Sequence, residues 1–438
     1  MTLKSLVIAS VVASTVVVIS ACAFDNSALS IKRGMGSNPQ LPAPNLEKIP
    51  TVSVAKAIGW QPNTMPIVNE GLLINAFSTD LNHPRWLYTL PNGDVLVAES
   101  NSPANLDASF SLRGWFAGML MKKAGAGVKS PDRIMLLRDA DKDGVAELKT
   151  VFAENLTSPF GMTLLDNTLY IANADALVKY AYQTGMTQVE GQYTKVVDLP
   201  AGINHHWTKN VIARNDGKLM VTVGSNSNVG ENGMDIEENR AAILEIDPVN
   251  QTSKIFATGL RNPNGMAIEQ KTGALWTVVN ERDQLGGDLV PDYLTSVKEG
   301  GFYGWPYYYY GQHIDSRIAS PDPALINKSI IPDYALGSHT ASLGLLNTSK
   351  TSLGELFSEG MFVSQHGSWN RSPKSGYKVI YVPFENGTAN GESIDVITGF
   401  LNSSEEAQGR PVGLAHDQTG ALLVADDVGN TIWRVTKK

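Results

Sequence analysis

The sequence contains one cysteine, Cys22, among its 438 residues. A disulfide bond within the chain is therefore excluded. Basic clusters, low-complexity tracts and coiled-coil heptads are also missing, and the formal net charge is −8. Proteins that bind nucleic acid usually concentrate Lys and Arg on one face, so this composition argues against nucleic acid as a partner.

Long apolar runs are scarce too, and the clear example lies at the N-terminus. Lys4 precedes an unbroken run of apolar and small residues at 6–19, which is too short for a comfortable membrane-spanning helix. The run ends Ile19-Ser20-Ala21-Cys22, so residues 1–21 are predicted to be a lipoprotein-type signal peptide with Cys22 as the lipidated residue. The alternative is a plain secretory signal in which the cysteine is incidental. The lipoprotein interpretation predicts a periplasmic or cell-surface protein anchored to a bacterial membrane.

Residues 22–50 are rich in Asn, Ser and Pro and have few apolar residues in register. We predict that they form a flexible tether. The remaining residues, 51–438, are predicted to form one domain.

Within this domain a weak pattern recurs, in which a Gly, Asn or Asp turn leads into a short apolar strand. Six copies predict an all-β fold, a six-bladed β-propeller with loop and short helical insertions. The copies occupy residues 91–97, 166–171, 215–221, 272–276, 359–363 and 419–424.

Two stretches are longer than blade connections need. Residues 105–130 carry apolar residues at helical spacing with cations at one end, which predicts an amphipathic helix that packs on the propeller or lies on a membrane. Residues 307–337 are rich in Tyr and Pro and are predicted to form a rim loop around a substrate entrance.

A third feature is the acidic run 138–147, which contains an Asp-x-Asp-x-Asp-Gly pattern. Alternating carboxylates followed by Gly can bring their oxygens to one point and bind Ca²⁺. Thr150 stands where an EF-hand has its final Glu, so a complete EF-hand is not predicted. A solvated turn is the alternative. The candidate calcium ligands are Asp139, Asp141 and Asp143.

Polar residues that could carry chemistry follow or precede the predicted strands. His205 and His206 lie just before the third repeat, and a histidine there can act as a base near neutral pH. Capping a loop or binding a structural metal is the alternative for this pair. Three arginines from different repeats, Arg261, Arg371 and Arg410, could bind an anion together or form separate surface ion pairs.

Three segments resemble one known family. They are Arg261-Asn262-Pro263, the tetrapeptide at 280–283, and Gly-Gly-Phe-Tyr-Gly-Trp-Pro at 300–306. Together they resemble the glucose/sorbosone dehydrogenase family, soluble six-bladed propellers that use pyrroloquinoline quinone (PQQ).

The resemblance implies oxidation of a sugar or sugar-derived aldehyde or hemiacetal, with hydride transfer to the quinone and electrons passed on to a further acceptor. His206 is implied as the general base and Arg261 as the group that stabilises charge on the quinone oxygen. The implied PQQ contacts are Arg261, Asn262, Arg371, Arg410 and Asp426. A Ca²⁺ ion is implied at the main-chain carbonyls of Arg282 and Asp283.

Two other functions remain open on the same architecture. One is a metal-dependent lactonase or esterase, and the other is a non-catalytic propeller that binds glycans. The aromatic run at 305–310 could stack on a sugar or the cofactor, or pack a blade edge. The possible lactonase metal ligands are Glu99, Asn173, Asn226, Asn280 and Asp426.

Overall fold

A computed structural model describes residues 31–46, 51–103, 122–202 and 204–438. Its strands form six antiparallel four-stranded units, which confirms the predicted six-bladed propeller. Each blade begins with a strand near the central channel, because the first strands of neighbouring blades contact one another. Each predicted repeat contributes the second strand of a blade.

The strands of the six blades have the following bounds, innermost strand first. Blade 1 contains Pro84–Thr89, Val95–Glu99, Arg133–Arg138 and Leu148–Ala153. Blade 2 contains Met162–Leu165, Thr168–Ala172, Ala176–Ala181 and Thr194–Asp198. Blade 3 contains Val211–Ala213, Leu219–Val223, Ala242–Asp247 and Thr252–Thr258. Blade 4 contains Asn262–Ile268, Leu275–Asn280, Pro291–Ser296 and Tyr334–Ser338. Blade 5 contains Ser342–Asn347, Gly360–Gln365, Lys378–Glu385 and Ile394–Thr398. Blade 6 contains Pro411–His416, Leu422–Asp426, Thr431–Lys437 and the early strand Leu72–Ser78.

The last blade joins the two ends of the domain. Leu72–Ser78 precedes blade 1 in sequence but pairs antiparallel with the C-terminal strand Thr431–Lys437. This pairing closes the ring, so the propeller has no open gap between its first and last blades.

Apolar clusters fill the interfaces between successive blades. The cluster around Trp86 and Phe160 joins blades 1 and 2, and the cluster around Leu87 and Leu423 joins blades 6 and 1. Because both faces of a blade are covered, second strands such as Val95–Glu99 are buried at every position. This burial explains their continuous apolar sequences.

Residues 31–46 belong to the stretch predicted as a flexible tether, but they lie against blade 4. Met35–Gly36 pairs with Tyr334–Ser338, and Leu41 packs against the apolar cluster between blades 3 and 4. These strand and core contacts order a segment that its composition suggested would be mobile. Cys22 and the signal segment lie outside the described residues.

The insertions surround this core. The predicted amphipathic helix at 105–130 falls largely outside the described residues, whereas the predicted rim loop is described. It contains a small hairpin, Tyr308–Tyr309 with His313–Ile314, and a 3₁₀ helix at Pro323–Lys328. Other short 3₁₀ helices lie at Ile31–Gly34, Asp235–Glu237, Thr348–Lys350 and Glu355–Phe357. No described helix is long and apolar enough to span a bilayer.

Close packing near the channel gives a direct test of the fold. At Gly344, in the first strand of blade 5, an added Cβ would overlap the Val412 carbonyl oxygen of blade 6 and the Ser364 hydroxyl. We expect Gly344→Ala to reduce the free energy of unfolding by about 1–3 kcal/mol, because a packed strand cannot move aside freely. Urea denaturation measures the change.

Gly34→Ala is the matched control, because nothing lies within 4 Å of a Cβ at that position. Equal stability of the two variants would contradict the described contact between blades 5 and 6.

Candidate functional site

One end of the channel collects the polar residues that the sequence singled out. In each blade the first two strands are antiparallel, so the start of the first strand lies near the end of the second. Pro84 pairs with Glu99, and Pro411 pairs with Asp426. The loops that lead into the first strands and those that follow the second strands therefore share one face of the propeller.

His206 lies on this face, in the loop before blade 3, and is half-buried. Its Nδ1 is 2.7 Å from the Ser225 carbonyl oxygen. A carbonyl can only accept, so Nδ1 carries the proton and Nε2 is left as an acceptor. Burial, with the charges of Arg261 and His205, holds the pKa of His206 well below its ordinary value. The imidazole is therefore neutral near pH 7 and able to take a proton.

Gly224 separates His206 from blade 4. A Cβ at this position would lie 2.6 Å from the His206 Cβ and would overlap the Asn262 side-chain oxygen. The Asn262 Oδ1 is buried without a hydrogen-bond donor among the described residues. Glycine thus permits close approach of the predicted base and the predicted cofactor contact Asn262.

Arg261 is buried beside this pair, and acceptors occupy all five of its N–H donors. Nε donates to the Asn228 carbonyl (3.2 Å), and Nη1 to the carbonyls of Asn280 (3.3 Å) and Glu281 (2.7 Å). Nη2 donates to the Asn228 side chain (3.0 Å) and to Asp283 (3.3 Å). In this arrangement Arg261 has no free N–H donor for the predicted direct contact with a quinone oxygen.

Asp283 extends the network to blade 5. Its Oδ1 accepts from Asn370 at 2.8 Å and lies 3.4 Å from the His339 ring nitrogen. Burial opposes its charge, but His339 and Arg261 outweigh burial and hold the pKa of Asp283 below its usual range. An ionised Asp283 thus links the loops of blades 4 and 5.

Arg371 follows Asn370 and lies between these loops. Its Nη2 donates to Asp288 at 3.0 Å and its Nη1 to the Pro373 carbonyl, while its buried Nε has no acceptor among the described residues. The guanidinium is positioned but keeps unused donor capacity.

Arg410 lies on the other side of the channel, before blade 6. Its guanidinium lies 5.1 Å from the Tyr377 ring centroid, and Nη2 donates to the Tyr377 hydroxyl at 3.1 Å. The buried Nε again lacks an acceptor in the described chain. Asp426 accepts from the Arg410 backbone N–H at 2.8 Å, so these two predicted cofactor contacts are joined through the backbone.

A second group on this face was missed by the sequence analysis. Asp427 forms an ion pair with Arg85 of blade 1 and lies 2.8 Å from the His366 ring nitrogen. Burial opposes its charge, but His366, His83 and Arg85 hold the pKa of Asp427 below its usual range. Burial lowers the pKa of His366 to about 4. Asp427 directly follows the predicted Asp426, which is the signal that could have identified it.

The cluster around Asp427 is linked to the residues around His206 across blades 1 to 3. The Arg85 guanidinium lies 5.8 Å from the ring centroid of Trp207, the neighbour of His206, and 5.8 Å from that of Phe160. Arg85 Nε is also buried without an acceptor in the described residues. We refer to Arg85, Arg261, Arg371 and Arg410 as the arginine ring. His206 and these four cations share one face of the channel.

Comparison with known proteins places this architecture in a family. A model of the TrAA12-like family matches residues 118–293 and 317–438 of the chain, which is more than half of its length. The chain belongs to the TrAA12-like family.

Solved structures share the TrAA12-like fold at low identity. The Trichoderma reesei Carbohydrate-Active Enzymes Family AA12 protein, in an iodide structure, is 18% identical with a TM-score of 0.69, covering 92% of this chain and 100% of that one. The holo PQQ domain of Coprinopsis cinerea pyranose dehydrogenase is 19% identical with a TM-score of 0.66, covering 87% and 100%. Among curated proteins, an uncharacterized protein of Borreliella burgdorferi is 27% identical over 296 residues, which is 65% of this chain and 76% of that protein.

The turn predicted to bind calcium is occupied by other groups in this TrAA12-like chain. Arg282 is fully buried and donates to the carbonyls of Pro306 and Tyr308, both at 2.7 Å. The Asp283 carbonyl accepts from Arg317 at 2.7 Å and from Asn228 at 3.2 Å. A guanidinium against this oxygen opposes a second cation, so these residues do not fit calcium in the arrangement described.

The acidic run forms a compact cluster elsewhere, beyond the third strand of blade 1. Ligand oxygens of its four carboxylates all lie within 4.8 Å of one another. The same loop has turn hydrogen bonds, with Gly144 N–H donating to Asp139 at 2.9 Å. Both alternatives are compatible with this geometry, and calcium binding here stays a prediction. The carboxylates belong to Asp139, Asp141, Asp143 and Glu147.

Two of the predicted lactonase ligands, Glu99 and Asp426, have other partners. Glu99 binds Arg133 Nε and the Asn82 N–H, both at 2.6 Å, and Asp426 binds the indoles of Trp60 and Trp433. In the described part of the chain, the 139–147 loop is the one place where at least three acidic, His or Cys side chains have metal-ligand spacing. Both carboxylates of the predicted lactonase set are therefore engaged by protein donors, and metal-dependent hydrolysis stays a prediction.

The aromatic run 305–310 matches the packing alternative. Trp305, Tyr308, Tyr309 and Tyr310 are buried, and Trp305 Nε1 donates to the Asn228 carbonyl at 2.9 Å. Tyr307 is half-buried, which leaves part of its ring available at the rim.

The protonation state of His206 can be measured directly. We expect NMR of ring-labelled protein to show the Nδ1–H tautomer and a titration midpoint well below about 6.5, the usual histidine pKa. Arg261→Gln should raise this midpoint, because the removed positive charge disfavours protonation of the ring.

Lys254→Gln, on the exposed outer strand of blade 3, is the charge-matched control and should leave the midpoint unchanged. A midpoint near 6.5 in the unaltered protein would show that His206 is solvated rather than buried beside Arg261.

Proposed function

We propose that this chain is a PQQ-dependent dehydrogenase that oxidises a sugar at a hydroxyl or hemiacetal carbon. The observation that carries the proposal is the partly unsatisfied arginine ring beside a neutral histidine. Family membership and the fold shared with a PQQ-containing pyranose dehydrogenase domain support the same reaction class.

The donor set fits PQQ, which has three carboxylates. The Nε groups of Arg85, Arg371 and Arg410 are buried without acceptors in the described chain. An unpaired buried donor is costly, and a carboxylate supplies the strongest acceptor for a guanidinium. These three arginines would hold the cofactor. Bound PQQ would supply a quinone carbonyl that accepts hydride.

His206 would take the proton of the sugar hydroxyl at Nε2. The Ser225 carbonyl fixes the tautomer that leaves Nε2 unprotonated, and burial beside Arg261 keeps the ring neutral before reaction. With its donors committed, Arg261 acts on His206 through its charge and holds the loops of blades 3 and 4. We derive no step through a cation at the 282–283 turn, because that carbonyl already has two donors.

Reconstitution tests the proposal. Purified protein is mixed with PQQ and an aldose panel, dye reduction gives kcat, and calorimetry gives the Kd for PQQ. His206→Asn should lower kcat by roughly 10²–10⁴-fold with little change in Kd, since a general base acts on the chemical step. Arg410→Met should raise the PQQ Kd by about tenfold or more, because a charged hydrogen-bond donor is lost.

Arg138→Met is the control, since Arg138 binds Asp94 away from the channel and should leave both constants unchanged. Absence of PQQ binding by the unaltered protein would end the proposal, and a full kcat in His206→Asn would remove the histidine from the mechanism.

We also propose membrane anchoring through Cys22, supported by the lipobox-like sequence Ile19-Ser20-Ala21-Cys22. Expressed in a bacterial host, the full-length chain should partition into the detergent phase of Triton X-114, and Cys22→Ser should move it to the aqueous phase. Identical partitioning of both would favour a plain secretory signal.

A further inference from the structure

Residues 51–60, which we call the strap, lie against loops of blades 5 and 6 before the chain enters the propeller. Two of its own residues, Val54 and Ala55, are buried, and Ala55 belongs to the apolar cluster between blades 5 and 6.

The first contact is with the loop that carries Arg371. Ser53 N–H donates to the Trp369 carbonyl at 2.7 Å, and Lys374 Nζ donates to the Ser53 hydroxyl at 3.0 Å. Lys374 Nζ also lies 2.9 Å from Glu405. The strap thus ties the blade 5 loop to the loop before Arg410.

The second contact is with the loop that precedes Arg410. Ala407 N–H donates to the Lys56 carbonyl, and Ile58 N–H donates to the Ala407 carbonyl, both at 2.8 Å. These two backbone hydrogen bonds fix the position of Ala407, which lies three residues before Arg410.

The third contact is a partly buried side-chain hydrogen bond at the end of the strap. Trp60 Nε1 donates to Asp426 Oδ2 at 2.7 Å, while Asp426 Oδ1 accepts the N–H groups of Arg410 and Gly429, both at 2.8 Å. Burial raises the pKa of Asp426 to about 6, and these donors oppose that rise by favouring the carboxylate.

Packing around this bond is tight. The Trp60 ring makes edge contacts with Phe400 and Trp433, at centroid distances of 5.8 and 5.5 Å. A Cβ at Gly429 would lie 2.6 Å from the indole. These contacts fix the position of the indole, and its N–H is directed at Asp426.

We propose that the strap is a positioning element of the cofactor site, and that Trp60 is the positioning residue that holds Arg410 through Asp426. This inference rests on the proposed function, because Arg410 is taken there as a cofactor contact. Among the described residues Trp60 forms no hydrogen bond with His206 or with the arginine ring side chains, so it acts through the backbone of the 410 and 426–429 segments.

Trp60→Phe tests the proposal, since phenyl preserves the apolar contacts and removes the donor. We expect the Kd for PQQ to rise by about tenfold, as for loss of one hydrogen bond to a charged group. At saturating PQQ, kcat and the sugar KM should match the unaltered protein. In protein without PQQ, hydrogen exchange of the Arg410 and Gly429 amides should accelerate.

Tyr334→Phe is the matched control. It removes a buried aromatic donor to the Gly391 carbonyl (3.0 Å) at the end of its strand remote from His339. This variant should leave the PQQ Kd and the exchange of both amides unchanged.

The outcomes separate the two proposals. If Trp60→Phe binds PQQ as tightly as the unaltered protein, the positioning role is overturned while the dehydrogenase proposal stands. If the unaltered protein binds no PQQ, the dehydrogenase proposal fails, and exchange alone decides the strap. Faster exchange at Arg410 and Gly429 would then support its hold on blade 6, and unchanged exchange would overturn it.

Discussion

The pairing of Leu72–Ser78 with Thr431–Lys437 is the constraint on which the channel depends. This pairing makes an N-terminal strand the last strand of blade 6 and so fixes the distance between blades 6 and 1. Arg85 of blade 1 can then reach Asp427 of blade 6. The chain before residue 72 runs along the outer edge of blade 5, where Ile67–Val68 pairs with Ile394–Thr398.

Electrostatic balance at that face follows from burial. Each arginine of the ring is buried, and a buried cation requires acceptors or a charge partner. Arg261 meets this requirement entirely within the protein, through three carbonyls, Asn228 and Asp283. Arg85, Arg371 and Arg410 meet it in part, which leaves positive potential and unused donors where an anionic group can bind. His206 lies within this positive field and stays neutral because burial, reinforced by the charges of Arg261 and His205, lowers its pKa.

The elements that sequence predicted best are those specified locally. Turn residues such as Asn92-Gly93 lead directly into a second strand, so each repeat gave a blade. The positions of Arg261, Arg410 and Asp426 on the channel face were likewise predictable from strand ends. The side-chain roles were less so, because Asp426 binds indoles and backbone N–H groups that are distant or unremarkable in sequence.

Features that depend on distant pairing were not predictable. Met35 pairs with Leu336, and Trp60 bonds to Asp426 across 366 positions, so neither leaves a local pattern. Composition alone therefore assigned 22–50 to a tether, although 31–46 lies against blade 4. No sequence motif links Arg85, His366 and Asp427. These residues come together when Leu72–Ser78 pairs with Thr431–Lys437 and closes the ring of blades.

The most direct measurement is a crystal structure of the protein soaked with PQQ. Density for the cofactor should lie at the loop end of the channel, with its carboxylates within hydrogen-bond distance of Arg85, Arg371 and Arg410 and its quinone facing His206. Cofactor density elsewhere on the propeller would contradict this arrangement. So would cofactor density in the channel that does not contact these three guanidinium groups.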